Sequence, residues 1–427
     1  VVNDAVPELA AAAAVFTANR FAAAPVRLSQ ERMALALGGG QTPRAVVLNS
    51  GGANACTGPG GYQDAAATAQ GAAAELGLDP AEVLVCSTGL IGQRLRLDAL
   101  LAGLKLAAAA LGEPGGAPGD RNPGGGGTGL GAGAGVDGIG QVGGGGTGGT
   151  GLGAGAGVDG IGQLGGGGSG HPDFGGRAAA EAIMTTDTVP KQALRRGAGG
   201  LYSCGGMAKG AGMLAPELAT MLVLLTTDAA VAPGLAQAAL EQACAKSFNR
   251  IDSDGCMSTN DAVILLASGA SRRQPDPAEF TATLTALAQD LARQLVADAE
   301  GAGHEIAIEV TGALSEDGAL AVARAVARSN LFKTAIAGND PNWGRILAAA
   351  GSVSPAVAPY HPDKVDVLVN GVMVARAGGP GEPREAVDLT PREVVVRLDL
   401  HAGAAGAWVW TNDLTQQYVS INADYSS

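Results

Sequence analysis

The chain has 427 residues and a formal net charge of −13, with 46% hydrophobic but only 3% aromatic residues. This length allows one large domain or two ordinary ones, with a sizeable core built from aliphatic side chains. The acidic balance argues against binding to nucleic acid or to an anionic membrane through the overall field of the chain.

Cysteines and histidines give no sign of a disulfide framework or a metal site. The five cysteines are widely spaced and form no CxxC pair, and the four histidines show no HExxH spacing. We therefore predict no bound metal and a reducing environment. The apolar runs are too short to span a membrane and no signal peptide is evident, so we expect a cytoplasmic protein.

From residue 1 to about 112 the sequence has α/β texture. Ala/Leu-rich helical stretches alternate with short strand signals at 44–50 and 82–87. Both predicted strands run into turns of small residues, and active-site loops often lie at such strand ends.

A glycine-rich insert occupies about residues 113–172. Gly supplies 27 of the 47 residues from 124 to 170, and the 14-residue repeat "TGLGAGAGVDGIGQ" starts at Thr128 and again at Thr150. Such glycine density does not offset the entropy cost of ordering, so we predict a mobile, solvated loop. A calcium-binding repeat would need more carboxylates than one Asp per copy, although another role for the insert stays open.

From residue 173 onward the α/β texture returns. Residues 216–230 are apolar enough for a buried strand, and 277–300 have the apolar spacing of an amphipathic helix. Further strands are predicted at 304–313, 364–374 and 392–400 from their β-branched residues in near-alternation. The string "GNDPNWGRI" predicts a turn and then a helix that begins near Pro341.

The densest chemical signal lies at residues 205–229. Its glycines let the backbone approach a ligand, Lys209 puts a cation in the same loop, and Thr220 begins the apolar run. A hydroxyl is a weak nucleophile without a base, but cleavage just before Thr220 would free an α-amine with a pKa of about 7.7–8.0. On local chemistry alone, a turn before a buried strand is the simpler interpretation.

Residues 209–222, "KGAGMLAPELATML", resemble the self-cleavage region of the glutamate N-acetyltransferase (ornithine acetyltransferase) family. The family pattern is Lys-Gly-x-Gly-Met, then Pro, then Ala-Thr-Met. Other segments resemble the same family in the expected order: "LNSGGANACTG" (48–58), "CSTGLIG" (86–92), "AIMTTDTVPK" (182–191), "STNDAVILLASG" (258–269), "GNDPNWGRI" (338–346) and "TNDLTQQYVSINADYSS" (411–427).

The resemblance implies an α/β fold, a layered sandwich of sheets and helices formed by two chains cut from one precursor. Cleavage between Ala219 and Thr220 would give an alpha chain, 1–219, that contains the insert, and a beta chain, 220–427. The acetyl group of N2-acetylornithine would pass to Thr220 and then to glutamate, a step of arginine biosynthesis. The family's assemblies contain two copies of each chain, so we expect an oligomer.

The resemblance also implies the site residues. Thr88 and Gly89 match the family's oxyanion-hole pair, although a plain strand-to-helix turn is the alternative. The residues that match the family's substrate-binding positions are Thr185, Lys209, Thr220, Glu300, Asn422 and Ser427. Taken alone, Glu300 is the solvated end of a helix. No metal or bound organic cofactor is implied, and acetyl-CoA is an alternative acetyl donor because some family members accept it.

The sequence departs from the family pattern in three places. The chain begins inside the family's N-terminal region, the insert replaces a short connection, and Gly303 and His304 stand where the family has Thr and Lys. The fold can tolerate the insert, since each doubling of a flexible loop costs only about 0.6 kcal/mol. Two other functions stay open: a self-processed aminopeptidase or amidase of related fold, and a non-catalytic Gly-rich structural protein.

Overall fold

The computed structural model describes residues 1–3, 7–111, 176–215 and 221–424. The predicted insert, the predicted cleavage residues Ala219 and Thr220, and Ser427 lie outside the described residues. The β-strands are β1 Ala11–Phe16, β2 Ala45–Asn49, β3 Val83–Ser87, β4 Lys191–Arg196, β5 Ser203–Lys209, β6 Leu222–Thr227, β7 Ala262–Ala267, β8 Glu305–Ala313, β9 Asp366–Val369, β10 Val372–Arg376, β11 Gly379–Pro380, β12 Glu393–Asp399 and β13 Ala405–Asn412. The α-helices are α1 Ala24–Leu37, α2 Gly58–Leu76, α3 Leu97–Ala110, α4 Gly176–Ala182, α5 Pro233–Ala245, α6 Pro277–Ala297, α7 Glu316–Ala327, α8 Asn330–Ala337, α9 Trp343–Ala350 and α10 Gln416–Asp424.

Helix α6 forms for reasons visible in its sequence. Asp276 caps it by accepting the main-chain N–H groups of Ala278 and Glu279, each at 3.0 Å, and Pro277 occupies the first turn, where no N–H is needed. Its buried apolar residues recur every three to four positions: Phe280, Leu284, Leu287, Leu291 and Leu295. The predicted helix is confirmed, and it ends at Ala297.

The first sheet of the described residues has five strands in the order β1-β7-β6-β5-β4. Its strands β6 and β7 are buried on both faces. Val223 and Leu225 of β6 pack into the cluster formed with α5 and α6. The alternate residue Leu224 packs on the opposite face, against Val46 of β2 and Leu84 of β3. A near-continuous apolar run is the pattern expected of a strand covered on both sides.

The parallel pair β2–β3 forms the next layer. Residues Val83 and Val85, on its outer face, pack against Ala65 and Ala69 of α2. The layers therefore run helix, sheet, sheet, helix. This arrangement confirms the predicted α/β class and the layered sandwich of sheets and helices.

The second large sheet has six strands in the order β11-β10-β9-β12-β8-β13. It is covered on one face, where Ile306, Ile308 and Val310 of β8 pack with the apolar residues of α7, α8 and α9. Glu309, between two of these residues, faces outward and pairs with Arg397 of β12. Alternation of buried and exposed residues is expected for a one-sided sheet.

One predicted strand proved to be two. The prediction of a single strand over 364–374 is wrong, because the chain reverses at Asn370 and Gly371 to form the β9–β10 hairpin. Both turn residues have positive φ, 47° and 85°. Asn-Gly is the strongest short-range signal for a type I′ hairpin turn, and it overrides the apolar pattern on either side.

Within the described residues, no helix has the length and apolarity needed to cross a bilayer.

Candidate active site

A cleft with a volume of about 210 Å³ opens beside the ends of β3 and β5. Several segments far apart in the sequence supply its lining. The predicted site residues that line it are Thr88, Gly89, Thr185, Lys209, Glu300 and Asn422. The structure thus brings six predicted residues together, while Thr220 and Ser427 lie outside the described residues.

Lys209 is the cation of the cleft. It is the last residue of β5 rather than part of a loop, because the ladder with β6 extends to its pairing with Leu222. Its Nζ donates to Thr185 Oγ1 at 2.8 Å and to Thr88 Oγ1 at 3.1 Å, and its side chain is buried. Burial lowers the pKa of Lys209, while the nearby Asp187 carboxylate opposes that shift.

Asp187 organises the surroundings of this cation. Its Oδ1 accepts from Lys191 Nζ at 2.7 Å and from Gly210 N–H at 2.6 Å. Its Oδ2 accepts from Thr185 N–H at 3.0 Å and lies 4.0 Å from Lys209 Nζ. One carboxylate therefore fixes the main chain beside two predicted substrate-binding residues.

The charge balance keeps Asp187 ionised. Burial alone would raise its pKa, but Lys209, Lys191 and the Gly210 N–H outweigh burial and hold the pKa below its ordinary value. Lys191 is itself fully buried and also donates to Asp298 at 2.6 Å. Neither Asp187 nor Lys191 was predicted as a site residue, although both lie in "AIMTTDTVPK" with the four-residue spacing of an ion pair.

The turn after β3 has a backbone that requires glycine. Gly89 has φ 127°, and a Cβ atom there would lie 2.5 Å from the main-chain carbon of Gly51. The Thr88 N–H donates to Asn49 O at 3.0 Å, whereas the Thr88 hydroxyl accepts a hydrogen bond from Lys209 Nζ. Because that hydroxyl accepts from Lys209, its own proton can be donated to a bound oxygen.

Glu300 provides the anion of the cleft. It lies just beyond α6, where its N–H donates to Ala211 O at 2.9 Å. Its Oε2 accepts from Asn422 Nδ2 of α10 at 2.8 Å. A Cβ atom on Gly212 would lie 2.6 Å from Glu300 Oε1, so the loop after β5 approaches this carboxylate closely. Glu300 is therefore not a merely solvated helix end.

Helix α10 is held near this carboxylate by contacts to the main chain of Gly301. Thr415 Oγ1 donates to Gly301 O at 2.6 Å. Gly301 has φ 67°, and a Cβ atom at this position would overlap the main-chain nitrogen of Tyr418. The close approach of the two segments brings Asn422 to Glu300.

Comparison with known proteins identifies the family. Residues 2–427 match the ArgJ family. The chain belongs to that family. It is 49% identical to the arginine biosynthesis bifunctional protein ArgJ of Bifidobacterium longum over 98% of this chain and 91% of the relative. The ArgJ protein of Thermobifida fusca is also 49% identical, over 97% of this chain and 90% of the relative.

The solved structures include an ArgJ protein from Bacillus halodurans. It is 37% identical and has a TM-score of 0.44, with 47% of this chain and 97% of that chain covered. The resemblance to the acetyltransferase family inferred from residues 209–222 is confirmed by the family match and the curated relatives.

Gly303 and His304, where the sequence is expected to depart from the family pattern, lie beside the cleft rather than in its lining. The N–H groups of both residues donate to Asp413 Oδ1, at 2.8 and 2.9 Å. The His304 ring lies between Asp413 Oδ2, at 2.9 Å, and Leu389 O, at 3.0 Å. These residues therefore anchor the segment that leads to α10.

The string "GNDPNWGRI" serves the second sheet. Asn342 caps α9 by accepting Arg345 N–H at 3.2 Å. The predicted turn and helix are confirmed, and the helix begins at Trp343, two residues after Pro341. Trp343 packs against the core beneath the six-stranded sheet. None of these residues lines the described part of the cleft.

Proposed function

We propose that this ArgJ family member is a glutamate N-acetyltransferase of arginine biosynthesis. It moves the acetyl group of N2-acetylornithine to glutamate through an acetyl ester on Thr220. The observation that carries the proposal is the buried Lys209 ammonium, bonded to the hydroxyls of Thr88 and Thr185 and facing a cleft that also contains Glu300. A cation and an anion in one small cleft match substrates that carry both α-carboxylate and amine groups.

In the first half-reaction the Thr220 hydroxyl attacks the acetyl carbonyl carbon and passes its proton to the Thr220 α-amine. The Thr88 hydroxyl and Gly89 N–H stabilise the oxyanion, as preorganised donors do in acyl transfer. The C–N bond breaks, the ornithine amine takes the proton, and an acetyl ester remains. The glutamate amine then attacks the ester carbon and gives a proton to the Thr220 α-amine. The ester C–O bond breaks, the α-amine passes that proton to the Thr220 oxygen, and N-acetylglutamate leaves.

The same nucleophile would process the precursor. The Thr220 hydroxyl attacks the Ala219 carbonyl, and water hydrolyses the resulting ester, which separates chains 1–219 and 220–427. We propose that two copies of each chain assemble and that acetyl-CoA is an alternative acetyl donor. A cytoplasmic location is supported by five unpaired cysteines, since a reducing compartment keeps thiols free.

Mass spectrometry of the reaction products tests this function. Purified protein is incubated with N2-acetylornithine and glutamate, and N-acetylglutamate and ornithine should appear in equal amounts. Formation of acetate without need of glutamate would contradict the proposal and favour the amidase alternative. A parallel reaction with acetyl-CoA tests the second donor.

Substitution of two buried lysines, one in the cleft and one outside it, tests the role of the cleft cation. Lys209→Met should lower kcat/KM by about 10- to 100-fold, because a charged hydrogen-bond donor is lost. Lys333→Met is the matched control: Lys333 is also buried, but it bonds to Ser253 O and Thr411 Oγ1 and does not line the cleft. In the wild type, kcat/KM should fall as pH rises through the lowered pKa of Lys209, and the variant should lack this decline.

A further inference from the structure

The segment "STNDAVILLASG" contains a buried asparagine that the proposed reaction does not use. Asn260 precedes β7 and is almost fully buried. Its Nδ2 donates to Ala53 O at 2.6 Å and to Ser87 O at 2.9 Å, while its Oδ1 accepts from Thr259 Oγ1 at 2.6 Å. One side chain thus joins the loop after β2 to the end of β3, both in another layer of the sandwich.

One of these bonds holds the peptide unit from which the turn begins. Ser87 O and Thr88 N–H belong to the same peptide group. Asn260 fixes the oxygen of that group, and Asn49 O accepts its N–H at 3.0 Å. Since a peptide is planar, two anchors on opposite sides set the direction in which the chain continues into Gly89.

The second bond fixes the neighbouring loop against the same turn. The Ala53 carbonyl accepts the hydrogen bond from Asn260 Nδ2, and the Ala53 N–H donates to Leu90 O at 2.9 Å. Gly89 leaves no space for a Cβ atom beside Gly51, so the two loops are in direct main-chain contact. A shift of either loop would therefore move the turn.

The next residue in the chain ties this anchor to the start of β6. Asp261 is fully buried, and its Oδ1 accepts from Met221 N–H at 2.9 Å. Met221 directly follows Thr220 in the sequence. Asn260 therefore contacts the residue before the Thr88–Gly89 turn. Its neighbour Asp261 contacts Met221, the residue after Thr220.

We propose that Asn260 is a positioning residue for acyl transfer, which orients the Thr88–Gly89 turn by holding the carbonyls of Ser87 and Ala53. The inference rests on the proposed function, in which this turn stabilises the oxyanion. Asn260 acts through the turn and makes no contact with substrate in this role. Removal of its amide should therefore impair turnover more than substrate binding.

Asn260→Ala and its matched control Asn412→Ala form the first test. Asn412 is equally buried, donates to Val296 O and His304 O, and accepts from Ser253 Oγ. Asn260→Ala should lower kcat by about 10²-fold with KM within about threefold, since a displacement of about 1 Å can cost that much. Asn412→Ala should lose thermal stability but keep kcat within about threefold. A kcat near wild type in Asn260→Ala overturns the inference.

A double-mutant cycle distinguishes positioning from general damage. If Asn260 acts only through the turn, Asn260→Ala should lower kcat by a smaller factor in a Thr88→Ala background than in wild type, because only the Gly89 N–H is then left to be misplaced; independent damage would multiply in full. If Asn260→Ala does not fold, Asn260→Ser retains one donor and should lose about tenfold in kcat. An unchanged kcat in the Ser variant would also overturn the inference.

Hydrogen exchange separates this inference from the proposed function. In Asn260→Ala, amides of residues 87–92 should exchange at least about tenfold faster than in wild type, and in Asn412→Ala they should not. If wild type transfers no acetyl group, the proposed function fails, and faster exchange alone no longer supports a catalytic role. Unchanged exchange at 87–92 contradicts the positioning itself, whether or not the enzyme is active.

Discussion

The two large sheets differ in how many faces of their strands are buried. All six residues of β7, in the five-stranded sheet, are buried, because helices cover one face and the β2–β3 pair covers the other. In β8, of the six-stranded sheet, buried Ile306 and Ile308 alternate with partly exposed residues. The candidate active site lies at the ends of the doubly covered strands, where Thr88, Asp187 and Lys209 are buried.

One ion pair beside the active-site cleft and one on the six-stranded sheet differ for the same reason. Lys191 and Asp187 have fully buried side chains, whereas Arg397 and Glu309 are 52% and 36% exposed. Desolvation makes the loss of one partner of a buried pair costly, while water screens an exposed pair. The comparison predicts that equivalent substitutions have unequal effects in the two sheets.

The largest effect is expected for Asp187→Asn. It leaves Lys191 and Lys209 without the carboxylate that they share, and should lower the free energy of unfolding at pH 7 by about 3–5 kcal/mol. The folded pKa of Asp187 lies below its ordinary value of 3.8, so its contribution is complete above that value and is lost as pH falls through the lowered pKa. Denaturant unfolding at several pH values should show the difference from wild type shrinking in acid. A difference that persists unchanged below pH 3 would contradict this account.

Two glycines with positive φ give the next comparison. Gly89→Ala forces a Cβ atom against the Gly51 main chain and should lower kcat by about 10²- to 10³-fold through loss of oxyanion stabilisation. Gly371→Ala, in the β9–β10 turn, meets open space and should cost only about 1–2 kcal/mol of conformational strain, with kcat unchanged. Equal kcat values in the two variants, from steady-state kinetics on folded protein, would refute the special role of the first turn.

The smallest effect is expected on the exposed face of the six-stranded sheet. Glu309→Gln removes the partner of Arg397 and should change the free energy of unfolding by about 0.2–1 kcal/mol, less at high salt. Thermal unfolding at low and high ionic strength measures this. A loss as large as that of Asp187→Asn would erase the distinction drawn between the sheets.

Much of the fold could be predicted because local patterns agreed with their environment. The spacing of apolar residues and the length of each apolar run predicted helix α6 and the strands β2, β3, β6 and β12. The predicted single strand at 364–374 failed because the turn preference of Asn370 and Gly371 outweighs the β-propensity around them. The order of strands in a sheet depends on tertiary packing, which no local pattern contains.

Prediction of the site depended on the family resemblance for its residue roles, and those roles remain proposals. Sequence alone placed Lys209 in a loop, since it cannot show that the β5–β6 ladder continues to that residue. Asp187 and Asn260 were missed because their importance lies in contacts across layers: Asn260 reaches Ser87, 173 positions away. Such contacts become visible only when the chain is folded.

Intact-mass spectrometry of the purified protein, beside a Thr220→Ala control, tests whether Thr220 is freed as an N-terminal nucleophile. We expect two fragments from the wild type, with their junction between Ala219 and Thr220, and a single uncut chain from the control. A wild-type chain that remains whole would contradict the assignment of Thr220 as an N-terminal nucleophile and, with it, the proposed route of acetyl transfer.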